Sequence, residues 1–102
     1  MIYGAVRDVE AVRNLDYPVY SCHIVPCAGE AKGEGEINIP LECGGVKVKP
    51  GDWIIGDDCG VVVVPAKHFK EVMEAASQIK EKESEIIRRL EDGWSLSEIL
   101  GL

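Results

Sequence analysis

The sequence predicts an α/β fold in a single domain over residues 1–102, and three features predict it. Short apolar runs rich in β-branched residues alternate with turns up to residue 64, a long stretch of helical periodicity follows, and no linker, repeat or low-complexity segment interrupts them. At 102 residues such a chain is expected to bury roughly 60 to 70 per cent of its unfolded surface. The net charge of -7 argues against a nucleic-acid backbone or an anionic membrane as the main partner. No apolar run approaches the roughly 20 residues of a membrane helix and no charged-then-apolar leader opens the chain, so a cytoplasmic protein is expected.

The elements follow in order. Residues 2–6 read as the tail of a buried strand, and Asp8 ahead of Val9, Val12 and Leu15 opens a short helix over 8–15 that Tyr17-Pro18 stops. Residues 19–25 form a second strand, and 27–35 a loop whose glycines carry no phosphate-cradling pattern. From Glu36 to Lys49, apolar and charged residues alternate on either side of Gly44-Gly45, which predicts a two-residue hairpin. Pro50-Gly51-Asp52 turns into a strand from Trp53 to Ile55, and Asp57-Asp58-Cys59-Gly60 turns into Val61 to Val64, an unbroken apolar run that implies burial on both faces. All of these are expected in one core sheet system. A helix over 67–91 then carries Phe69, Val72, Met73, Ala76, Ile79, Ile86, Ile87 and Leu90 at helical spacing and stops at Gly93. Ser95-Leu96-Ser97-Glu98 is a capping box for a last short helix, whose Leu96, Ile99, Leu100 and Leu102 are expected at an oligomer contact.

Among candidate functional residues, Arg7 and Asp8 stand at the first strand-to-helix junction. There the guanidinium fork suits a carboxylate or phosphate, and the Asp8 oxygens suit a hard cation such as magnesium. A helix cap with an ion pair is the competing reading of the same two residues. Cys22, Cys27, Cys43 and Cys59 have neither Cys-x-x-Cys nor zinc-finger spacing and read as free thiols. Asp57 and Asp58 read as turn residues, and His23 and His68 as structural. Glu83 falls in the middle of the apolar stripe of the long helix, between Ile79 and Ile87. It is either solvated where the helix outruns the sheet or reaches another subunit.

Five blocks carry a family resemblance: Gly-Ala-Val-Arg-Asp at 4–8, Leu-Asp-Tyr-Pro-Val-Tyr at 15–20, Gly-Glu-Ile-Asn-Ile-Pro at 35–40, Gly-Gly-Val-Lys-Val-Lys-Pro-Gly-Asp-Trp at 44–53, and Asp-Asp-Cys-Gly-Val-Val-Val-Val-Pro at 57–65. In order and spacing they resemble the C-terminal half of the RraA-like family. That family holds the regulators of ribonuclease E activity and the 4-hydroxy-4-methyl-2-oxoglutarate aldolases, which also act as oxaloacetate decarboxylases. The resemblance implies the swivelling β/β/α fold, truncated at the N-terminus and assembled as a trimer or hexamer. It implies metal-assisted carbon-carbon cleavage of a small 2-oxo acid, with magnesium or manganese stabilising the enolate. Arg7 would bind the substrate carboxylate and steady developing charge, Asp8 would orient the metal or its water ligands, and Glu83 would be the acid that a neighbouring subunit contributes.

The aldolase pattern also has an Asp upstream of the Arg-Asp pair, with a nearby glycine-containing loop. Counting back from Arg7 places that Asp before residue 1. The resemblance therefore leaves open a fragment, a chain working with an N-terminal half from another polypeptide, or a chain that no longer catalyses. A non-catalytic regulator whose acidic surface binds a protein partner is the alternative reading. A swivelling phosphohistidine carrier ranks last, since neither His23 nor His68 has the Thr-Ser-His motif. The menaquinone methyltransferase label of some family members is rejected as an activity, because no glycine-rich strand-to-helix loop is present.

Overall fold

A computed structural model describes residues 1–102. They divide into two compact units, Met1–Ala66 and Lys67–Leu102, each described by itself.

In the first unit, β1 (Ile2–Val6) pairs in parallel with β2 (Ser21–Ile24). Parallel neighbours need a crossover, and α1 (Val9–Arg13) lies within it. This helix is shorter than the expected 8–15. It ends at Asn14, where Asn14 N–H donates to Ala11 O at 3.2 Å and Leu15 N–H to Val12 O at 3.1 Å.

Two hairpins follow. In the first, β3 (Leu41–Cys43) and β4 (Val46–Val48) are joined by Gly44 and Gly45 at φ 57° and 78°, the positive values that a primed two-residue turn requires. The strand expected from Glu36 begins only at Leu41. Asn38 is left-handed at φ 56°, Pro40 has no N–H to give a ladder, and Ile37 is 88% exposed. In the second hairpin, β5 (Trp53–Asp57) pairs antiparallel with β6 (Gly60–Val64) in unbroken register. The Asp52 carboxylate accepts the N–H groups of Lys49 at 2.9 Å and Ala66 at 3.2 Å, which closes the turn before β5 and ties down the chain after β6.

The strands do not form one core sheet system. They form three separate two-stranded sheets, so each strand has one hydrogen-bonded neighbour. Val64 is the sole buried hydrophobic residue, at 5% exposure. The two-faced burial expected of residues 61–64 fails at Val62, which is 59% exposed. Ile54 and Ile55, which point to opposite faces, are each 39% exposed, so both faces of that hairpin are open. The accessible surface is 9021 Å² for 11.1 kDa, which corresponds to burying about 45 per cent of the unfolded surface, short of the 60 to 70 per cent expected.

The second unit starts in a single 3-10 turn that leads into α2 (Phe69–Glu91). Gly93, at φ 93°, ends it. The N–H of Trp94 reaches Arg89 O at 3.1 Å and that of Gly93 reaches Leu90 O at 3.0 Å, the paired bonds of a Schellman cap. The expected capping box is present on α3 (Leu96–Leu100). Ser95 N–H donates to Glu98 Oε2 at 2.8 Å and Glu98 N–H to Ser95 Oγ at 3.3 Å. The Arg89 guanidinium lies 5.8 Å from the Trp94 ring centre, while Arg88 and Arg89 both pair with Glu85. No helix is long and apolar enough to cross a membrane.

Candidate active site at the β1 to α1 junction

The apolar strand β1 delivers Arg7 and Asp8 to its C-terminal end, and the chain must reverse there to enter α1. Asp8 makes that reversal in the left-handed region, at φ 55° and ψ 41°. Aspartate tolerates this conformation better than most residues with a Cβ, yet it still carries a cost on the order of 1 kcal/mol. The Asp8 carbonyl accepts the first helical bond from Val12 N–H at 3.0 Å. Its side chain makes no capping bond. Of the two readings of this pair, the side-chain cap is therefore absent and the ion pair is present, with Arg7 Nε 3.4 Å from Asp8 Oδ2. The side chains are 52% and 71% exposed, so the pair contributes little to stability and its atoms stay open to ligands. Helix α1, at five residues, adds only a slight dipole to the site.

Asp8 also borders a shallow groove with Glu10 and Asn14, two polar residues that the sequence reading did not single out. Their signal was spacing alone, two and six residues beyond Asp8 on a short helix. An apolar pocket of this unit lies at the opposite end of β1, lined by Met1, Tyr3, Tyr20 and the thiols Cys22, Cys43 and Cys59. All four cysteines are free thiols. No group of three or more His, Cys, Asp or Glu side chains converges in the chain. A cation at Asp8 would therefore take most of its ligands from water and substrate. That donor set fits magnesium or manganese, which commonly use one or two carboxylates plus waters, and does not fit zinc.

The other candidates separate clearly. Asp57 is a turn residue, its Oδ1 accepting the N–H groups of Cys59 at 2.8 Å and Gly60 at 3.2 Å. His68 precedes α2 with Nδ1 3.5 Å from Glu71, and His23 lies exposed in β2. Glu83 is exposed on α2 among exposed Ile79 and Ile87, and no ion pair involves it.

The family described as RraA-like, Aldolase/RraA, matches residues 1–63. An uncharacterised protein of Methanocaldococcus jannaschii is 44% identical over 102 residues, which is 100% of this chain and 49% of that protein. A Halalkalibacterium halodurans protein provisionally named a 4-hydroxy-4-methyl-2-oxoglutarate aldolase is 37% identical over 76% of this chain and 37% of its own length. Among solved structures, an uncharacterised protein from Pseudomonas syringae superposes with a TM-score of 0.83 and 31% identity, over 93% of this chain and 48% of its own. Streptomyces coelicolor RraAS2, described as an unusual member of the RNase ES inhibitor RraA protein family, superposes with a TM-score of 0.71 and 30% identity, over 84% of this chain and 44% of its own. The chain thus spans about half the length of the relatives it matches, or less.

Proposed function

Because this chain belongs to the RraA-like family, we propose that it takes part in divalent-metal-dependent aldolase or decarboxylase chemistry on 2-oxo acids of the 4-hydroxy-4-methyl-2-oxoglutarate or oxaloacetate type. One observation supports this reading above the others: the Asp8 carboxylate is held beside Arg7 in a left-handed backbone position without capping the helix that follows. A cap would use the carboxylate for folding. Left uncapped, its oxygens are available to a hard cation.

Arg7 binds the substrate carboxylate through its guanidinium fork. It also offsets the negative charge that grows on the keto oxygen as the carbon-carbon bond breaks. Asp8 holds the cation or orients its water ligands, and its contact with Arg7 restrains the guanidinium. The ion, when bound, supplies Lewis-acid polarisation of the 2-oxo group. Glu83, which no ion pair engages, is proposed as an acid contributed to the site of a neighbouring copy, within a trimer or hexamer.

The test is oxaloacetate decarboxylation by the purified protein with added magnesium, with oligomeric mass read on the same sample. Turnover above the rate of the metal alone is expected. A folded sample that adds nothing to that rate overturns catalysis by this chain.

A further inference from the structure

The apolar cavity at the end of β1 away from Arg7 and Asp8 is where all three sheets meet. Its walls come from β1 and β2, from the turn between β3 and β4, and from the turn between β5 and β6, so it lies wholly within the first unit. Two tyrosines bridge those walls. The tip of the Tyr20 ring rests on β5 at Gly56, where a Cβ would lie 2.7 Å from it, and Tyr3 reaches the β3 to β4 turn, 4.0 Å from where a Cβ of Gly44 would stand. The cavity holds about 410 Å³, inside the roughly 300 to 1,000 Å³ range of small-molecule sites.

The lining is soft, apolar and acidic. Cys22, Cys43 and Cys59 bring one thiol from each wall, yet they form no group that could hold a metal ion. With the two tyrosine rings they make a polarisable surface for an apolar body instead. Asp57 and Asp58 stand on the same lining, which has no Lys, Arg or His side chain. The Asp57 Oδ1 atom already accepts the N–H groups of Cys59 and Gly60. Asp58 is exposed and enters no ion pair. An anion would meet two carboxylates and no basic side chain. A cation finds an acceptor beside aromatic rings, in a chain of net charge -7.

We propose that this cavity binds a small hydrophobic amine, its aryl or alkyl body packed against Tyr3, Tyr20 and the thiols and its ammonium group paired with Asp58. The site is separate from the one proposed for 2-oxo acids. It rests on no part of the Arg7 and Asp8 chemistry, and its test uses no 2-oxo acid.

The probe is phenethylamine, with phenethyl alcohol and hydrocinnamate as neutral and anionic counterparts of similar size. Each is titrated into the isotope-labelled protein, and binding is read from amide chemical shifts. The expected result is saturable shifts of the Cys22, Gly44, Cys59 and Val61 amides, with affinity falling from amine to alcohol to carboxylate. Asp58→Asn is expected to weaken the amine about threefold, the scale of one exposed ion pair, and to leave the alcohol unchanged. Raising the salt concentration should weaken the amine in the same way. Absence of saturable shifts overturns the proposal, as does equal affinity for the amine and either counterpart. Shifts confined to residues outside the cavity, or an Asp58→Asn variant that binds the amine as tightly as the parent, overturn it as well.

Discussion

Asp57, at the end of β5, and Asp8, just past the end of β1, both stand where a strand gives way to a turn. Asp57 accepts the N–H groups of Cys59 and Gly60, and Asp52, one turn earlier, accepts those of Lys49 and Ala66. Those carboxylates hold the backbone. Asp8 sits in a left-handed conformation, and its side chain makes no capping bond and pairs with Arg7. The difference teaches that residue type and turn context do not separate a folding carboxylate from a ligand-binding one. The destination of its hydrogen bonds does.

The largest effect that tests the contrast is on activity. Arg7→Ala is expected to lower kcat for oxaloacetate decarboxylation by about 10² to 10³, the usual consequence of removing one donor from developing negative charge. Thermal stability should hardly change, because the Arg7-Asp8 pair is exposed. If the variant keeps full turnover, Arg7 is an ordinary surface residue and the contrast between the two turns loses its functional meaning.

A smaller and opposite pair of effects separates the aspartates themselves. Asp57→Ala is expected to lose about 1 kcal/mol of stability, since the backbone N–H groups of Cys59 and Gly60 lose their acceptor, with no change in the magnesium concentration that activity requires. Asp8→Asn keeps a residue that tolerates the left-handed turn, so unfolding in denaturant should be unchanged while the magnesium requirement rises. Should Asp8→Asn destabilise the protein as much as Asp57→Ala does, Asp8 is another folding carboxylate.

Local rules were enough for much of this architecture. The Gly44-Gly45 hairpin, the Gly93 stop and the Ser95 to Glu98 capping box each depend on a few adjacent residues, and each was legible. So was the placement of Arg7 and Asp8 at a strand-to-helix junction. What escaped depends on distant parts of the chain. The apolar run at 61–64 and the helical stripe around Ile79 and Ile87 say that these faces are to be covered, but periodicity cannot say whether this chain supplies the cover, and Val62, Ile79 and Ile87 all remain exposed. Gly56 was equally silent. A Cβ there would lie 2.7 Å from the Tyr20 ring, a close approach between residues far apart in sequence. The left-handed Asp8 was hidden because a capping aspartate and an uncapped one have the same neighbours.

The comparison extends, with the smallest effect, to Glu98 in the helical unit. Its carboxylate accepts from the Ser95 hydroxyl at 2.6 Å and the Ser95 N–H at 2.8 Å, and those bonds, the hydroxyl first, hold its pKa below the ordinary glutamate range. Because the folded value is the lower one, protonation favours the state in which the capping box is open. The contribution of the box is therefore complete above the unfolded glutamate pKa and is lost as pH falls through the depressed folded value. A carbon-detected NMR titration of Glu98 is expected to show a midpoint below that of Glu98 in the Ser95→Ala variant, with α3 amide exchange rising over the same acid range. Equal midpoints in the two proteins would mean that Glu98, like Asp8, leaves the backbone to itself.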